Sequence, residues 1–436
     1  MQGGKSLDGA HSVATDFSIP DPAQVRRCAV GVARTLQHAG HAALFAGGCV
    51  RDEILGLFPT DYDIATDATP EQIGRLFRST AHVGAHFGVV IVRTGVGTSV
   101  EVATFRRDGT YSDNRRPDSV EFADDVADAN RRDFTVNALF LDPLASEDSP
   151  GIHGHIVDHV GGLADIQQKL IRAVGRAEDR LAEDHLRALR AVRFAARLGY
   201  EIHGDTKEAI KEHAGDLAGV SAERVGQELR RMLGVPSRAS AASMLAELGL
   251  EAAIFGSGSE VKIRLGRLAG DVSFEHAMAA WIIDRDGFEP VLGVYRRALC
   301  LSNDEHSRIG QIIQAAGRLE SDWLSAPVAA QKRLAAKDSF EEALACVEAA
   351  DLGLAGLIRA RFEELAKTPS GIRPEPMLDG NGLIQMGFLA GPAFGGVLAA
   401  VYDAQLEDRI SDPEGAKAMA QKLLESSEPT GLGGVE

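Results

Sequence analysis

The chain of 436 residues is long enough for two to four domains with cores of their own, and its 63 acidic against 46 basic residues leave a formal net charge of −17. That balance works against general binding of polyanions, which phosphate neutralisation drives; even so, eight basic residues face four acidic ones between Lys169 and Arg197, a strip able to steer a polyanion to one place. Cys28, Cys49, Cys300 and Cys346 have no C-x-x-C spacing, which argues against a zinc knuckle or a disulfide framework and for a reduced, cytoplasmic protein. Uncharged runs such as 389–402 are too short and too broken by Gly and Pro for a transmembrane helix, and the N-terminus has no apolar signal segment.

Residues 1–20 are polar and Gly-rich, the composition of a disordered leader. Asp21 and Pro22 read as the N-cap and first turn of a helix whose apolar stripe, Val25, Cys28, Val32 and Leu36, ends at Gly40. The densest chemistry follows in LFAGGCVRDEILGLFPTDYDIATDATPEQI, from Leu44 to Ile73. Its Gly47-Gly48 turn falls between a strand and a helix beginning near Cys49, and glycines without a Cβ let backbone N–H groups approach a phosphate there. Asp61 and Asp63, at i and i+2 of a predicted strand, point to one face and converge on one divalent ion. Two such oxygens suit Mg²⁺, which completes its octahedron with water and substrate phosphates. Alone, a D-x-D is also an ordinary solvated turn and a Gly pair an ordinary tight connection; their order within one strand-helix-strand unit favours a metal–nucleotide site, and no P-loop pattern occurs. A helix from Thr69-Pro70 to Phe77 and strands at Val89–Arg93 and Ser99–Thr104 come next, so that alternating elements up to about Val174 predict a mixed α/β head. On the second of these strands Glu101 reads by itself as a surface acid, and RRDGTYSDNRRPDSVE, 106–121, as a solvated, mobile connection.

In RRDFTVNAL, Arg131 to Leu139, Asp133 and Asn137 are spaced to share a helix face and hold one ribose, with Arg132 placed to meet phosphate; the alternative is a surface capping element. His153, His155 and His159 lack the further Cys or carboxylate that would close a transition-metal site. Residues 178–198 read as one long helix that buries Leu181, Ala188, Leu189 and Val192 and carries Arg180, Asp184 and Arg187 on another face. An Asp/Arg pair at this spacing is either a surface salt bridge or a reader of base edges. Cytosine and adenine both offer an amino donor beside a ring-nitrogen acceptor, which a carboxylate next to a guanidinium complements, whereas uracil and guanine offer the reverse pair. Ser221 caps a further helix that bears Arg224 and Glu228 at i, i+4. From about residue 240 the chain is Ala- and Leu-rich with helical periodicity, His276 reads as a packed helix residue, and a helix starts at Pro392 after a glycine-punctuated turn.

GGCVRD followed by DYD resembles the opening motif of nucleotidyltransferases of the DNA polymerase β superfamily, specifically class II tRNA CCA-adding enzymes and bacterial poly(A) polymerases. RRDFTVNA, the Asp158/Gly161-Gly162/Asp165 group, EDHLRALR and the Arg224/Glu228 helix resemble the next four motifs in order, so the resemblance covers Leu44 to about Leu233. It implies that Asp61, Asp63 and Glu101 are the catalytic carboxylates and hold Mg²⁺. It further implies that Gly47, Gly48, Arg51, Arg132, Asp133, Asn137, Asp184, Arg187, Arg190 and Arg193 bind the nucleotide. By the same resemblance, Asp158 to Asp165 form a hinge, Arg224 and Glu228 brace the templating helix, loop 106–121 helps the pocket change from CTP to ATP, and 377–408 holds the tRNA elbow.

The resulting expectation is an α/β head of polymerase β type with a mixed sheet over 21–175, then an all-helical neck (176–240), body (241–335) and tail (336–436). Its activity is expected to be template-independent addition of CCA to tRNA 3′ ends from CTP and ATP with release of pyrophosphate, with tRNA as partner and neither membrane nor protein partner implied. The alternatives are a poly(A) polymerase, an enzyme limited to A or CC addition, and a non-catalytic RNA-binding protein on a retired head.

Overall fold

The computed structural model describes residues 21–82, 88–94, 97–109, 119–146, 152–258 and 263–427. The expected leader, the centre of the charged loop and the Gly-rich tail lie outside them. The chain divides into two compact units, one of residues 1–187 and 200–209, the other of 188–199 and 210–436.

The first unit opens with α1 (Pro22–His38), capped by the Asp21 carboxylate, which accepts the Ala23 N–H. Its buried stripe is Val25, Ala29, Val32, Ala33 and Leu36, and Cys28 is only half-buried. There follow β1 (Ala43–Ala46), α2 (Gly48–Ile54), β2 (Asp63–Thr66), α3 (Pro70–Leu76), β3 (Thr80–His82), β4 (Val89–Arg93) and β5 (Ser99–Thr104). A two-stranded ribbon of β6 (Arg106–Asp108) and β7 (Val120–Phe122), α4 (Asp125–Asn130), β8 (Leu139–Asp142), β9 (His155–Asp158) and α5 (Gly162–Gln168) complete the main body of the unit. The seven-stranded sheet runs β3-β4-β5-β2-β1-β8-β9, with β2 and β5 parallel and the other neighbours antiparallel, so it is mixed as expected. The charged stretch 106–121 was expected as open connection throughout, yet its two ends pair as the β6–β7 ribbon.

Asp158 takes four backbone N–H groups, those of Val160, Gly161, Gly162 and Leu163, and so fixes the start of α5. Gly162 is required there because a Cβ would lie 2.3 Å from the Thr135 carbonyl oxygen. Short parallel strands β10 (Leu170–Ile171) and β11 (Glu201–Ile202) tie residues 200–209 to this unit. One face of the sheet packs through Ala46, Ala65, Phe105, Ala138 and Phe140, all fully or almost fully buried. Phe140 meets Phe105 edge-on at 6.1 Å and carries the Arg132 guanidinium 5.0 Å above its ring. Phe140→Ala is therefore expected to cost about 3–5 kcal/mol in urea unfolding, the range for truncating a fully buried Phe; a loss below about 1 kcal/mol would mean that this cluster does not anchor the sheet.

Residues 178–198 do not form one helix. They give α6 (Ala177–Glu183) and α7 (Leu186–Leu198), separated at Asp184, whose backbone is extended (φ −154°, ψ 102°). The reason is local: the Asp184 carboxylate accepts the Leu186 N–H at 3.1 Å and its carbonyl accepts the Arg187 N–H, so Asp184 starts α7 rather than continuing α6. The expected buried residues Leu181, Ala188, Leu189 and Val192 are buried.

The second unit is helical from its segment of α7 through the last described residues; α8 (Gly204–Glu212) enters it, and α9 (Ala222–Leu233) and α10 (Arg238–Glu247) follow. His276 is packed within the Phe274–Asp286 helix, and burial pulls its imidazole down to about 4. Helix Ala393–Leu406 begins after Pro392 as expected, preceded by a short helix Gly380–Gln385 in the glycine-punctuated segment.

Candidate active site

Strand register brings two of the three candidate carboxylates side by side. In the parallel β2–β5 pair Asp63 lies directly opposite Glu101, and adjacent strands run about 4.8 Å apart. Asp61 precedes β2, but the alternation already holds: Tyr62 between the two aspartates turns inward, its ring 4.8 Å from Phe45 and its hydroxyl donating to Glu53 at 2.6 Å. Asp61, Asp63 and Glu101 remain solvent-exposed. Even so, the protein surrounding Asp63 and the like charges of Glu101 and Asp61 push its carboxyl up to about 6, against the opposing pull of Arg132. Among the described residues no three His, Cys, Asp or Glu side chains are gathered as a ready-made metal cage. The excess negative charge on one open face is what a divalent cation relieves, with water and phosphate oxygens completing its shell, so the donor set fits such an ion.

The glycine turn sits at the end of the strand beside β2. Gly47 has φ +81° and its N–H donates to the Leu139 carbonyl at 3.0 Å. A Cβ on Gly47 would lie 2.9 Å from Nη1 of Arg132, so both backbone and contact demand glycine. Gly48 opens α2, and Arg51, 2% exposed, donates to Asp52 at 2.7 and 2.8 Å and to Oδ1 of Asn137. Asn137 in turn donates to Asp133 at 3.2 Å. Arg132 donates to Asp128 at 2.9 Å and to the Asn137 carbonyl at 3.2 Å. Gly47, Gly48, Arg51, Arg132, Asp133 and Asn137 thus form one connected cluster drawn from two segments far apart in sequence.

Asp133 and Asn137 do meet, though not on an α-helix. Phe134 is extended and bridges to Ala173, and a 3-10 turn, Thr135–Asn137, folds Asn137 back. Buried Phe134 at the head of the turn overrides the helical spacing. The sequence reading missed Asp128, which is buried and grips Arg131 and Arg132 through its two oxygens; its spacing of three and four residues from them was the available signal.

Asp184 and Arg187 belong to the first unit and Arg190 and Arg193 to the second. With the helix broken at Asp184, Arg180, Asp184 and Arg187 do not share a helix face. The Arg187 guanidinium donates to Glu183 at 2.5 Å and to the Arg180 carbonyl at 2.7 Å, and Arg180 donates to the same Glu183 carboxylate at 2.8 Å. Glu183, four residues before Arg187, was legible from spacing and not singled out. Within α7 the Arg190 and Arg193 guanidinium groups stand 5.3 and 4.6 Å from the Phe194 ring centre, and Arg193 pairs at 3.1 Å with Glu228 of α9. Glu228 is 2% exposed and reaches Arg193 of α7 as well as Arg231 of its own helix, a contact in keeping with the bracing of the templating helix that the resemblance implies.

Residues 43–172 match the model of the poly A polymerase head domain, and 199–259 match that of the "Probable RNA and SrmB- binding site of polymerase A". The crystal structure of the Bacillus stearothermophilus CCA-adding enzyme in complex with CTP is 30% identical, with a TM-score of 0.76, and the match covers 94% of this chain and 99% of that one. The chain belongs to the family of class II tRNA CCA-adding enzymes and bacterial poly(A) polymerases. Within this family a CCA-adding enzyme of Geobacillus kaustophilus is 43% identical over 54% of this chain and 56% of its own length. The chain thus spans about half the length of the curated relatives it matches. The Thermotoga maritima CCA-adding enzyme complexed with tRNA_CCA shares the fold, at 20% identity and a TM-score of 0.65 over 94% of this chain and 97% of that one. Nucleotidyltransferases of this kind work with divalent metal ions, in keeping with the carboxylate face. Among the described residues no helix is long and apolar enough to cross a membrane.

Proposed function

We propose that this protein is a tRNA nucleotidyltransferase that adds CCA to tRNA 3′ ends from CTP and ATP without a template, releasing pyrophosphate, in the cytoplasm. The observation that carries the reading is the placement of Asp63 opposite Glu101 with Asp61 on the same side of the strand, beside the Gly47 turn. Asp61, Asp63 and Glu101 would hold Mg²⁺, which supplies a lowered pKa for the attacking 3′-hydroxyl and charge compensation for the departing pyrophosphate. Gly47 and Gly48 give the triphosphate a close backbone approach, Arg132 presents positive charge beside it, and Asp133 and Asn137 hold the ribose. Asp184 and Arg187 read the base edge, with Arg190 and Arg193 completing the nucleotide contacts. The stretches 176–240, 241–335 and 336–436 act as neck, body and tail that hold the tRNA.

The second reading, a poly(A) polymerase, draws support from the head-domain match itself; A-only and CC-only enzymes share the same head. ATP supplied alone with an RNA primer separates the first of these: a CCA-adding enzyme adds at most one A to a primer ending in CC, whereas long A tracts would establish the polymerase.

A further inference from the structure

Asp128 stands on α4, and its carboxylate is buried between two neighbouring arginines of the first unit. One oxygen accepts from Nε and Nη2 of Arg131 at 2.8 and 2.6 Å, and it also faces the Arg106 N–H of β6 at 3.4 Å. The other oxygen accepts from Nε and Nη2 of Arg132 at 3.2 and 2.9 Å. The helix that carries Asp128 is itself fixed: Asp124 caps its start by accepting the Ala127 N–H at 2.8 Å, and Asp125 meets Nε2 of His159 at 2.8 Å. A guanidinium has five N–H groups. Those of Arg132 make three hydrogen bonds among the described residues, two to Asp128 and one from Nη1 to the Asn137 carbonyl at 3.2 Å. The remaining two, one on Nη1 and one on Nη2, share the outer edge of the group, the edge that a phosphate meets with two parallel hydrogen bonds. Gly47 keeps the space beside Nη1 clear, since a Cβ there would come within 2.9 Å of it. Asp128 is also the one carboxylate that Arg132 bonds among the described residues, so it is what holds the inner edge.

We propose that Asp128 is a positioning residue for nucleotide binding: by holding the Nε and Nη2 edge of Arg132 it turns the outer edge to the triphosphate beside the Gly47 turn. The inference rests on the transferase reading, which sets Arg132 at the phosphates, and goes beyond it in naming the group that aims Arg132. Because CTP and ATP carry the same phosphates, Asp128 acts on both alike and not on the choice between bases.

The test is equilibrium binding of CTP and of ATP to the full chain, by titration calorimetry with Mg²⁺ and without RNA, so that no transfer occurs. Asp128→Asn leaves one neutral acceptor between two guanidinium groups. It is expected to raise both dissociation constants about tenfold, the scale of one charged hydrogen bond, and Asp128→Ala should raise them further. Calorimetry also counts sites per chain, so a variant that folds only in part shows fewer sites at the wild-type constant, whereas a misplaced Arg132 weakens every site that remains. In an Arg132→Ala background there is nothing left to aim, and adding Asp128→Asn should change the constants by less than about twofold. Unchanged constants in Asp128→Asn, a weakening that persists undiminished in Arg132→Ala, a loss confined to one of the two nucleotides, or fewer sites at the wild-type constant would each overturn the assignment and leave the transferase reading standing. A wild-type chain that binds neither nucleotide overturns both readings together.

Discussion

Asp61→Ala and Asp63→Ala are each expected to abolish nucleotide incorporation, by about a thousandfold or more, while leaving the protein folded. The size follows from the charge stabilisation that a catalytic cation supplies, several kcal/mol at about 1.36 kcal/mol for each factor of ten. The folding half of the expectation follows from the site itself. The protein packed around Asp63, together with the like charges of Glu101 and Asp61, pushes its carboxyl up to about 6. An acid whose value is raised on folding opposes stability at neutral pH, so removing it relieves repulsion. In chelator, Asp63→Ala should melt at the same temperature as the wild type or higher. Near-normal turnover in either variant would defeat the metal assignment, and a lower melting point would place the loss of activity in folding instead.

Base choice is expected to fail when Asp184 is changed. Its carboxylate would accept the amino group of cytosine or adenine while Arg187 donates to the ring nitrogen, so both substrates weaken together in Asp184→Ala and UTP and GTP gain relative to them. At roughly 1–3 kcal/mol for a paired base contact, the change should be about a hundredfold or less. The structure adds a control. Asp184 also accepts the Leu186 N–H at the start of α7, a capping role worth about 1 kcal/mol, and Asp184→Asn keeps an oxygen for that bond while presenting an amide to the base. Selectivity lost in the Ala variant and restored in the Asn variant would assign the effect to the cap. Selectivity lost in both assigns it to the carboxylate, and wild-type selectivity in both would remove Asp184 from base reading.

Much of this site can be read from local rules, and the departures have identifiable physical causes. The Gly47-Gly48 turn and the strand after Asp61-Tyr62-Asp63 follow from glycine freedom and from alternation that reaches past the strand's first residue. Glu101 is different: only the parallel pairing of β2 with β5 sets it opposite Asp63, and register between strands separated by a helix and two further strands is not a local property. The unbroken helix expected over 178–198 fails because helical periodicity is blind to a side chain that caps. At Asp184 the hydrogen bonds it accepts from the Leu186 and Arg187 N–H groups restart the helix despite a continuous apolar stripe, and the Arg187 side chain finds its acid in Glu183. Similarly, Asp133 and Asn137 come together through burial of Phe134 and a 3-10 turn, an arrangement that spacing by four residues does not distinguish from an α-helix.

Sequencing the 3′ ends made on tRNA that stops before its terminal CCA, with all four nucleoside triphosphates and Mg²⁺ present, tests the central claim most directly. The account expects C, C and A added in that order and then no further growth, with U and G absent from the products. Extension beyond three nucleotides into A tracts, or ends carrying only A or only CC, or no incorporation at all, would contradict it.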